Sequence, residues 1–539
     1  MKKIIAAALG EDVHIAGIAN FLNLADKLGH KTTFLGPAVS IDTLIEKIKE
    51  ENPDIVGVSY RLTPKNAKNL LDKLQSRVEK EGLDTKEFVF AGTPPVIEVA
   101  KDINLFSQYF DSGETERAIS FLKGENIGKH AKKLPSTLIE RIKAKKPFPL
   151  IRHHFGLPSL EDTIKGIKKI SESGELDVIS IAQDQISQQY FFHPEMHDPS
   201  KAGAGGVPIR SKGDLQKIYE ASQRGNFPLL RAYAGTKDLI KLAGLYKDTI
   251  NNAWAAIPLF WFNKLDGRGD MELKESIEEH QKLMKWCSEE DVPVEILEAH
   301  HWSLRNAPDN IAAAAAYIGA YNAKKFGAKN LLNQYMFNTP AGTSMKMDLS
   351  KMLATQEMIS ELKDNYFKIY TQTRAGLLGY PVDQYEARGQ LASSVMLQMA
   401  LDPDIIHVVS FSEADHAATP KDVIESCKIA KQVVKRSFLG QLPDMTYDPK
   451  IQKRKCEIIS EAKKVVDYIK STYRGAGDPL IDSEHLSDMV KKGVLDTPQL
   501  VGSPHAAGRI KTLIIDGACY TVDNNGKKIS EAERLKNLD

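Results

Sequence analysis

The sequence predicts an α/β protein in which an open, Rossmann-like parallel sheet precedes a (β/α)8 barrel. Two observations indicate this class. Over residues 1–125, short apolar runs alternate with amphipathic stretches, as in a doubly wound, flavodoxin-like domain. Over residues 148–430, eight longer β-α repeats follow, which is the pattern of a TIM barrel. A Lys-rich segment, residues 126–147, is predicted to link the two parts, and residues 431–539 are predicted to form a helical C-terminal extension packed on the barrel.

The first predicted strand, residues 4–9, leads into a polar turn with the pattern Asp12-x-His14-x-x-Gly17. In open sheets, ligands bind where the strands end. A neutral imidazole is a good ligand for a transition metal, and a carboxylate two residues away can hold its other ring nitrogen. Gly17 leaves out a side chain where a bulky ligand could approach the backbone. An ordinary loop histidine is the alternative interpretation.

The next strands of this domain are expected to end beside the same turn. A buried strand at residues 55–60 carries Ser59 near its end, and a strand at residues 88–92 ends at Gly92. Three strand ends then meet at one edge of a parallel sheet. Helices are predicted at residues 19–28, 42–51, 65–80 and 116–122, with a last short strand and loop at residues 109–115.

These motifs resemble those of the cobalamin-binding domain in which a protein histidine replaces the cofactor's dimethylbenzimidazole as the lower cobalt ligand. That family has Asp-x-His-x-x-Gly, then Ser-x-Leu, then Gly-Gly. The first motif is complete here, the second reads Ser59-Tyr60-Arg61 with leucine one place late, and the third keeps one glycine. The resemblance implies that His14 binds the cobalt of cobalamin and that Asp12 orients His14. It also implies that the cofactor lies against Gly17, Ser59, Arg61, Gly92 and Thr93.

Composition argues against several other classes of function. The chain of 539 residues has 72 basic and 71 acidic residues, so no net field favours a nucleic acid or an anionic membrane. No stretch approaches the roughly 20 apolar residues that span a membrane. The four cysteines are far apart and lack zinc-like spacing, which is typical of free thiols in a reducing compartment. We therefore expect a cytoplasmic protein, and we interpret the basic cluster at residues 141–146 as a solvated connector.

The barrel prediction depends on eight apolar strand candidates, and an open sheet with as many strands is the alternative. The candidates are residues 149–152, 177–182, 227–233, 252–259, 293–299, 330–336, 367–373 and 405–411. Helical stretches between them include residues 161–172, 273–290, 310–326 and 385–400. Beyond the barrel, a helix is predicted at residues 453–469, and residues 523–526 suggest a turn in a terminal hairpin.

Chemistry in such a barrel occurs at the carboxyl ends of the strands, where this sequence is polar. The neighbours His153 and His154, and likewise His300 and His301, are expected to point apart because successive strand side chains face opposite sides. For single members of the set, a surface ion pair or a helix cap is the alternative role. The residues at these strand ends are Arg152, His153, His154, Gln183, Asp184, Gln188, Tyr233, Glu298, His300, His301, Gln334, Tyr335, Arg374, Glu413, Asp415 and His416.

A cobalamin domain followed by a barrel is similar to the arrangement of adenosylcobalamin-dependent mutases, most closely to glutamate mutase with its small and large subunits fused in one chain. The similarity is carried by residues 227–238, 327–340 and 493–509. It implies a radical isomerase with adenosylcobalamin as cofactor, a small-molecule substrate and a homodimeric state. It further implies that Arg152 binds a carboxylate, that Glu298, His301 and Tyr335 make polar contacts or transfer protons, and that Gln188, Glu413 and Asp415 lie at the cofactor.

The departures from glutamate mutase concern the substrate. Two of the arginines with which that enzyme holds its dicarboxylate align with Gln188 and Tyr233, and its glutamate beside the migrating group aligns near Ala253. The acidic residue that holds the adenosyl ribose aligns near Ala414. We therefore expect a substrate with fewer negative charges than glutamate, such as a mono-carboxylate. A corrinoid-dependent methyltransferase and a non-catalytic corrinoid-binding protein are the alternatives.

Overall fold

The computed structural model describes residues 1–111, 115–125, 134–233, 235–438, 440 and 442–538. The chain divides into two units, residues 1–132 with 435–443, and residues 133–434 with 444–539. Within the described ranges, no helix combines the length and the apolar character that crossing a membrane requires. All four cysteines are free.

The N-terminal unit contains a five-stranded parallel sheet in the order β2-β1-β3-β4-β5, which is the flavodoxin-like order. Its strands are β1 (Lys3–Leu9), β2 (Lys31–Val39), β3 (Ile55–Tyr60), β4 (Glu87–Gly92) and β5 (Phe106–Phe110). Its helices are α1 (Ala16–Lys27), α2 (Ile41–Glu51), α3 (Pro64–Lys80), α4 (Pro94–Ala100) and α5 (Thr115–Leu122).

Local sequence explains where these elements begin. All six residues of β3 are buried, as expected for a strand that is covered on both faces. The Ser40 side chain accepts a hydrogen bond at the start of α2, and Thr63 does so at α3, where Pro64 occupies the first turn. The helix α1 begins three residues earlier than predicted, so Gly17 lies in its first turn rather than in the preceding loop.

The larger unit contains the eight predicted parallel strands, in the ladder order β8-β7-β6-β13-β12-β11-β10-β9. The ladder is interrupted between β8 and β9, where the Ala253 N–H donates to the Leu230 carbonyl at 2.9 Å. The barrel is therefore nearly closed, and the prediction of a barrel rather than an open sheet is confirmed. Its strands are β6 (Leu150–Phe155), β7 (Val178–Ile181), β8 (Leu229–Ala232), β9 (Ala255–Ile257), β10 (Val294–Ile296), β11 (Asn330–Phe337), β12 (Lys368–Ala375) and β13 (Ile405–Val408).

Helices surround the barrel and continue into the C-terminal extension. In chain order they are α6 (Leu138–Lys145), α7 (Leu160–Ser173), α8 (Gln185–Tyr190), α9 (Lys212–Ser222), α10 (Leu239–Ile250), α11 (Leu273–Glu289), α12 (Glu298–Ser303), α13 (Asp309–Lys325), α14 (Met345–Ser360), α15 (Gln384–Gln398), α16 (Pro420–Phe438), α17 (Pro449–Ser471), α18 (Ser483–Lys492) and α19 (Glu531–Lys536). Because α16 runs through residue 430, no loop separates the barrel from the extension there.

The segment expected to be a solvated connector instead closes the amino-terminal end of the barrel. Residues 126–133 of that segment lie outside the described residues, but α6 follows and is packed. Its Leu138 and Ile142 join Leu150, Trp254 and other apolar side chains of the strand starts in one buried cluster. Arg141 is buried and donates to the carbonyls of Pro135 (2.7 Å), Phe227 (2.8 Å) and Asn226 (3.4 Å). The basic cluster is therefore part of the barrel.

The terminal hairpin is formed by β14 (Lys511–Ile515) and β15 (Ala518–Val522), which are antiparallel. Its turn lies at Asp516 and Gly517, both at positive φ. The predicted turn at residues 523–526 is also present: it joins Val522 and Lys528, which form an antiparallel bridge, and the Asp523 N–H donates to the Lys527 carbonyl at 2.8 Å.

Candidate functional site

The loop after β1 holds Asp12 fully buried, and its carboxylate organises the surrounding backbone. The Oδ1 atom accepts from the His14 backbone N–H at 2.9 Å and lies 2.7 Å from His14 Nδ1. The Oδ2 atom accepts from the Arg61 N–H at 2.6 Å, which ties the end of β3 to the end of β1. The carboxylate thus fixes two loops at the switch point of the sheet, between β1 and β3, where such folds bind ligands.

The imidazole of His14 is held at one nitrogen and open at the other. Because Asp12 accepts from Nδ1, the neutral ring keeps its lone pair on Nε2. No described residue hydrogen-bonds to Nε2, and 54% of the side chain is exposed. This arrangement leaves Nε2 ready to bind a metal ion from outside the protein.

A cleft of about 230 Å³ lies beside His14, between α1 and the ends of β3, β4 and β5. The Oγ of Ser59 is buried on its wall and has no hydrogen-bond partner among the described residues. A Cβ added at Gly17 would meet nothing within 4 Å, so protein packing does not require that glycine. At Gly92, in contrast, a Cβ would lie 2.9 Å from the Tyr60 carbonyl. Close packing of the fold therefore accounts for the glycine at position 92, whereas only the open cleft accounts for the glycine at position 17.

The remaining residues predicted in this domain also border the cleft. Arg61 has an exposed side chain, and Thr93 stands at the N-cap position of α4 without using its hydroxyl for the helix. Both line the cleft together with His14, Gly17 and Ser59. The sheet therefore brings the three sequence motifs to one edge. An unpartnered hydroxyl, an open ring nitrogen and a glycine facing free space are features that a bound cofactor would complete.

In the barrel, the middle layer of interior side chains is charged instead of apolar. Arg152, Arg231, Glu295 and Gln372 project inward from β6, β8, β10 and β12, the alternate strands that form one layer of such a barrel. Glu295 Oε1 accepts from Arg152 Nη1 at 2.9 Å, and Oε2 accepts from Arg231 Nη2 at 2.5 Å. The indole N–H of Trp254 also donates to Oε2, at 2.7 Å. These contacts hold the pKa of Glu295 well below its usual range despite complete burial.

The guanidinium groups in this region differ in how many of their N–H donors lack a described acceptor. Arg152 is fully engaged, since it also donates to Ser180 Oγ (2.7 Å) and to Gln372 (2.7 Å). Arg231, in contrast, has no described acceptor at Nε or Nη1, although it is completely buried. Arg374 is 8% exposed, and no described residue accepts a hydrogen bond from it. The free donors thus belong to Arg231 and Arg374, whereas the sequence singled out Arg152.

Above this layer, side chains form a closed ring of contacts, which we call the mouth ring. Centroid distances link His301 to Phe262 (5.5 Å), Phe262 to Tyr233 (5.8 Å), Tyr233 to His154 (5.8 Å) and His154 to His407 (4.5 Å). Gln334 hydrogen-bonds to His407 at 3.4 Å and to His300 at 2.8 Å, and His300 and His301 lie 4.1 Å apart. The mouth ring consists of His154, Tyr233, Phe262, His300, His301, Gln334 and His407.

The imidazoles of the mouth ring are neutral near pH 7. Burial, followed by the charges of nearby arginines or a neighbouring histidine, holds the pKa of His154, His300, His301 and His407 well below the usual value. Both ring nitrogens of His301 lack a described partner. The expectation that His300 and His301 point apart is wrong, because the chain has already turned into the helix α12 at Glu298.

Two predicted barrel residues face away from the mouth ring. Tyr335 packs with Phe337, Leu349 and Met352 in a buried cluster outside the barrel, because strand alternation turns it away when Gln334 points inward. Glu298 lies against Gly319 of α13 and accepts from the Trp302 indole at 3.2 Å. Burial raises its pKa to about 8. Neither side chain is placed to meet a ligand in the barrel.

The other predicted residues lie nearer the rim. Gln188 sits in α8 and donates to the Gln183 carbonyl at 3.0 Å. Glu413 and Asp415 are exposed in the loop after β13, where Asp415 pairs with His416 at 2.8 Å. Sequence reasoning missed Arg231, although an arginine inside the apolar run of residues 227–233 was a usable signal. A charged residue in a central barrel strand needs a buried partner or a ligand.

Comparisons with known proteins agree with both parts of the chain. A family model described as "B12 binding domain" matches residues 2–101, and one described as "Methylaspartate mutase E chain" matches residues 130–527. A cobalamin-binding protein from Desulfitobacterium hafniense is 26% identical; the match covers 22% of this chain and 55% of that protein, with a TM-score of 0.20. The two family models confirm the resemblance to a fused cobalamin mutase.

Two further solved structures were matched over the barrel. A rubisco-like protein from Alicyclobacillus acidocaldarius is 12% identical over 60% of this chain and 71% of its own, with a TM-score of 0.33. A rubisco-like protein from Rhodopseudomonas palustris is 11% identical over 56% of this chain and 69% of its own, with a TM-score of 0.31.

Proposed function

The chain belongs to the methylaspartate mutase E chain family, with a B12-binding domain ahead of the mutase domain, and on this premise we propose that it is an adenosylcobalamin-dependent isomerase. Its substrate is a small mono-carboxylate that binds in the barrel. The observation that carries the proposal is the state of His14, whose Nδ1 is held by a buried carboxylate and whose half-exposed side chain lines an open cleft. Family membership supports the mutase chemistry, and the cleft supports the cofactor.

The residues of the N-terminal unit fit cobalamin. His14 would be the lower cobalt ligand, and Asp12 would hold its ring in the tautomer that binds metal. The cleft has an unpartnered acceptor and donor in Ser59 Oγ and free space at Gly17 for the part of the cofactor below the corrin. When bound, adenosylcobalamin supplies an organic radical by homolysis of its cobalt–carbon bond.

The residues of the barrel have binding and shielding roles. The neutral imidazoles of the mouth ring offer hydrogen-bond donors and acceptors, and neither ring nitrogen of His301 has a partner among the described residues. Arg231 and Arg374 have donors without described acceptors. Phe262 and Tyr233 present apolar surface between these polar groups, and exclusion of water by such walls protects a reactive intermediate from side reactions.

Electron paramagnetic resonance of the bound cobalt(II) form tests the ligand. In protein labelled with 15N-histidine, we expect the cobalt signal to show coupling to one 15N nucleus, and we expect His14→Gln to lose it. His30 is the matched control, because it lies in the same unit with both ring nitrogens engaged, Nδ1 by the Lys2 N–H at 3.0 Å and Nε2 at the Leu122 carbonyl at 3.0 Å. His30→Gln should keep the coupling. Coupling that survives in His14→Gln would refute the ligand assignment.

The form of the cofactor is tested by titrating the protein with adenosylcobalamin and with methylcobalamin, and by following the absorption spectrum. We expect the adenosyl form to bind at least as tightly as the methyl form. Selective binding of methylcobalamin would count against an isomerase and would favour methyl transfer.

A further inference from the structure

We propose that the substrate carries a carboxylate but no protonated amine, and that Arg231 and Arg374 hold the carboxylate. This inference rests on the proposed function, since it concerns the ligand of the same barrel. It gives Arg231 and Arg374 a role that the resemblance to glutamate mutase did not imply. Two features of the barrel support it, an excess of buried cationic donors and the lack of an unpaired buried carboxylate among the described residues beside Arg231.

The cationic side begins in the middle layer of the barrel. Arg152 and Arg231 share the single carboxylate of Glu295, which leaves one positive charge uncompensated in a layer that is fully buried. Nε and Nη1 of Arg231 have no described acceptor. A buried charged donor without an acceptor is costly, and a ligand carboxylate with two oxygens is the group that satisfies a guanidinium best.

Arg374 adds a second cation without a described hydrogen-bond acceptor, one layer closer to the mouth. It follows Gln372 by two positions on β12, as His154 follows Arg152 on β6, so it points into the barrel at the level of the mouth ring. The Arg231 guanidinium lies 5.0 Å from the Tyr233 ring centroid, and the charge of Arg374 interacts with Tyr233, Arg231 and Glu413. A carboxylate bound beside Tyr233 would therefore be attracted by both guanidinium groups.

On the anionic side, no described carboxylate is left unpaired at the level of Arg231. Glu295 is shared by two arginines, and Asp266 pairs with Arg305 at 3.1 Å. Glu298 packs against Gly319 outside the barrel, and Glu413, exposed in the loop after β13, interacts electrostatically with Arg374 from the rim. An ammonium group beside Arg231 would thus be buried next to arginines without a carboxylate to pair with, which is strongly unfavourable.

Matched pairs of small acids test this inference on the full chain loaded with adenosylcobalamin. The probes are butanoate against 2-aminobutanoate and glutarate against glutamate, with dissociation constants from isothermal titration calorimetry. We expect the acid without the amine to bind at least tenfold more tightly in at least one pair. Arg374→Gln should weaken that binding tenfold or more, because a hydrogen bond to a charged group is lost.

Arg224→Gln is the control, since Arg224 is a partly exposed arginine before β8, at the opposite end of the barrel, where it pairs with Glu172 at 3.3 Å. It should leave all dissociation constants unchanged. Arg231→Lys is a second test variant and should weaken the same binding. Because Arg231 is fully buried, this variant can fail to fold, and the result for Arg374→Gln is then decisive. Equal or tighter binding of the amino acids, no effect of Arg374→Gln, or no binding of any probe would each overturn the inference.

The cobalamin spectrum of the same samples separates this inference from the proposed function. A normal spectrum with a preference for amino acids refutes only the substrate class. If the chain does not bind cobalamin, the titrations are run on the cobalamin-free chain; a retained preference for the acids without an amine then refutes only the proposed function.

Discussion

Replacing Glu295 by glutamine tests whether one carboxylate neutralises the centre of the barrel. The substitution Glu295→Gln keeps the size of the side chain but removes the charge that Arg152 and Arg231 share. One amide oxygen remains for two guanidinium donors and the Trp254 indole, and the amide NH2 faces a cation. Breaking a buried ion pair on one side typically costs about 3–5 kcal/mol. We expect a loss of unfolding free energy in that range.

The assay is urea unfolding followed by tryptophan fluorescence, which reports the barrel alone because all four tryptophans, at positions 254, 261, 286 and 302, lie in that unit. Glu161→Gln is the control, since Glu161 is exposed and pairs with Lys165 on the surface at 2.7 Å, and its unfolding midpoint should stay close to that of the wild type. A loss below about 1 kcal/mol for Glu295→Gln would refute the role of Glu295 as the shared counter-charge.

The pH dependence of this loss has a defined sign. The pKa of Glu295 is held below the ordinary value of 4.5, so the folded state binds fewer protons than the unfolded state in acid. The stability that this carboxylate contributes is therefore complete above the unfolded pKa and is lost as the pH falls through the folded pKa. The difference between the wild type and Glu295→Gln should be constant from pH 6 to 8 and should shrink below about pH 4.

Two further predictions concern Asp12 and Glu298. Asp12→Asn should weaken cobalamin binding about 10–100-fold in equilibrium dialysis, because the group that orients a metal-binding histidine is lost; unchanged affinity would contradict the role of Asp12. Burial raises the Glu298 pKa to about 8 from its ordinary value of 4.5, so the folded state keeps a proton that the unfolded state releases, and the stability that this group contributes falls between those two pH values. Glu298→Gln should therefore gain stability relative to the wild type at pH 9 compared with pH 5, measured by urea midpoints, and an equal difference at both pH values would exclude the raised pKa.

The architecture could be predicted from the sequence because its signals are local. Each barrel strand is an apolar run between amphipathic helices, and the eight runs are found at the predicted places. The Asp12 and His14 pair could also be predicted, because the two side chains meet within three residues of one loop. In both cases the interaction that matters lies close in sequence.

The barrel interior could not be predicted in the same way, because its contacts join distant residues. Arg231 reads as a polar interruption of an apolar run, and its partner Glu295 is 64 residues away. The inward or outward direction of Tyr335 depends on the strand's phase, which a strand buried on both faces does not reveal. The packing of α6 was missed for a similar reason, since Arg141 finds its acceptors at residues 135, 226 and 227.

Among the described residues, α6 covers the amino-terminal end of the barrel, where Leu138 and Ile142 pack on the starts of the strands. A small molecule bound in the barrel, as we propose, would therefore enter and leave at the carboxyl ends of the strands. Its product would have to depart before the next substrate could enter, so the two would compete for one passage.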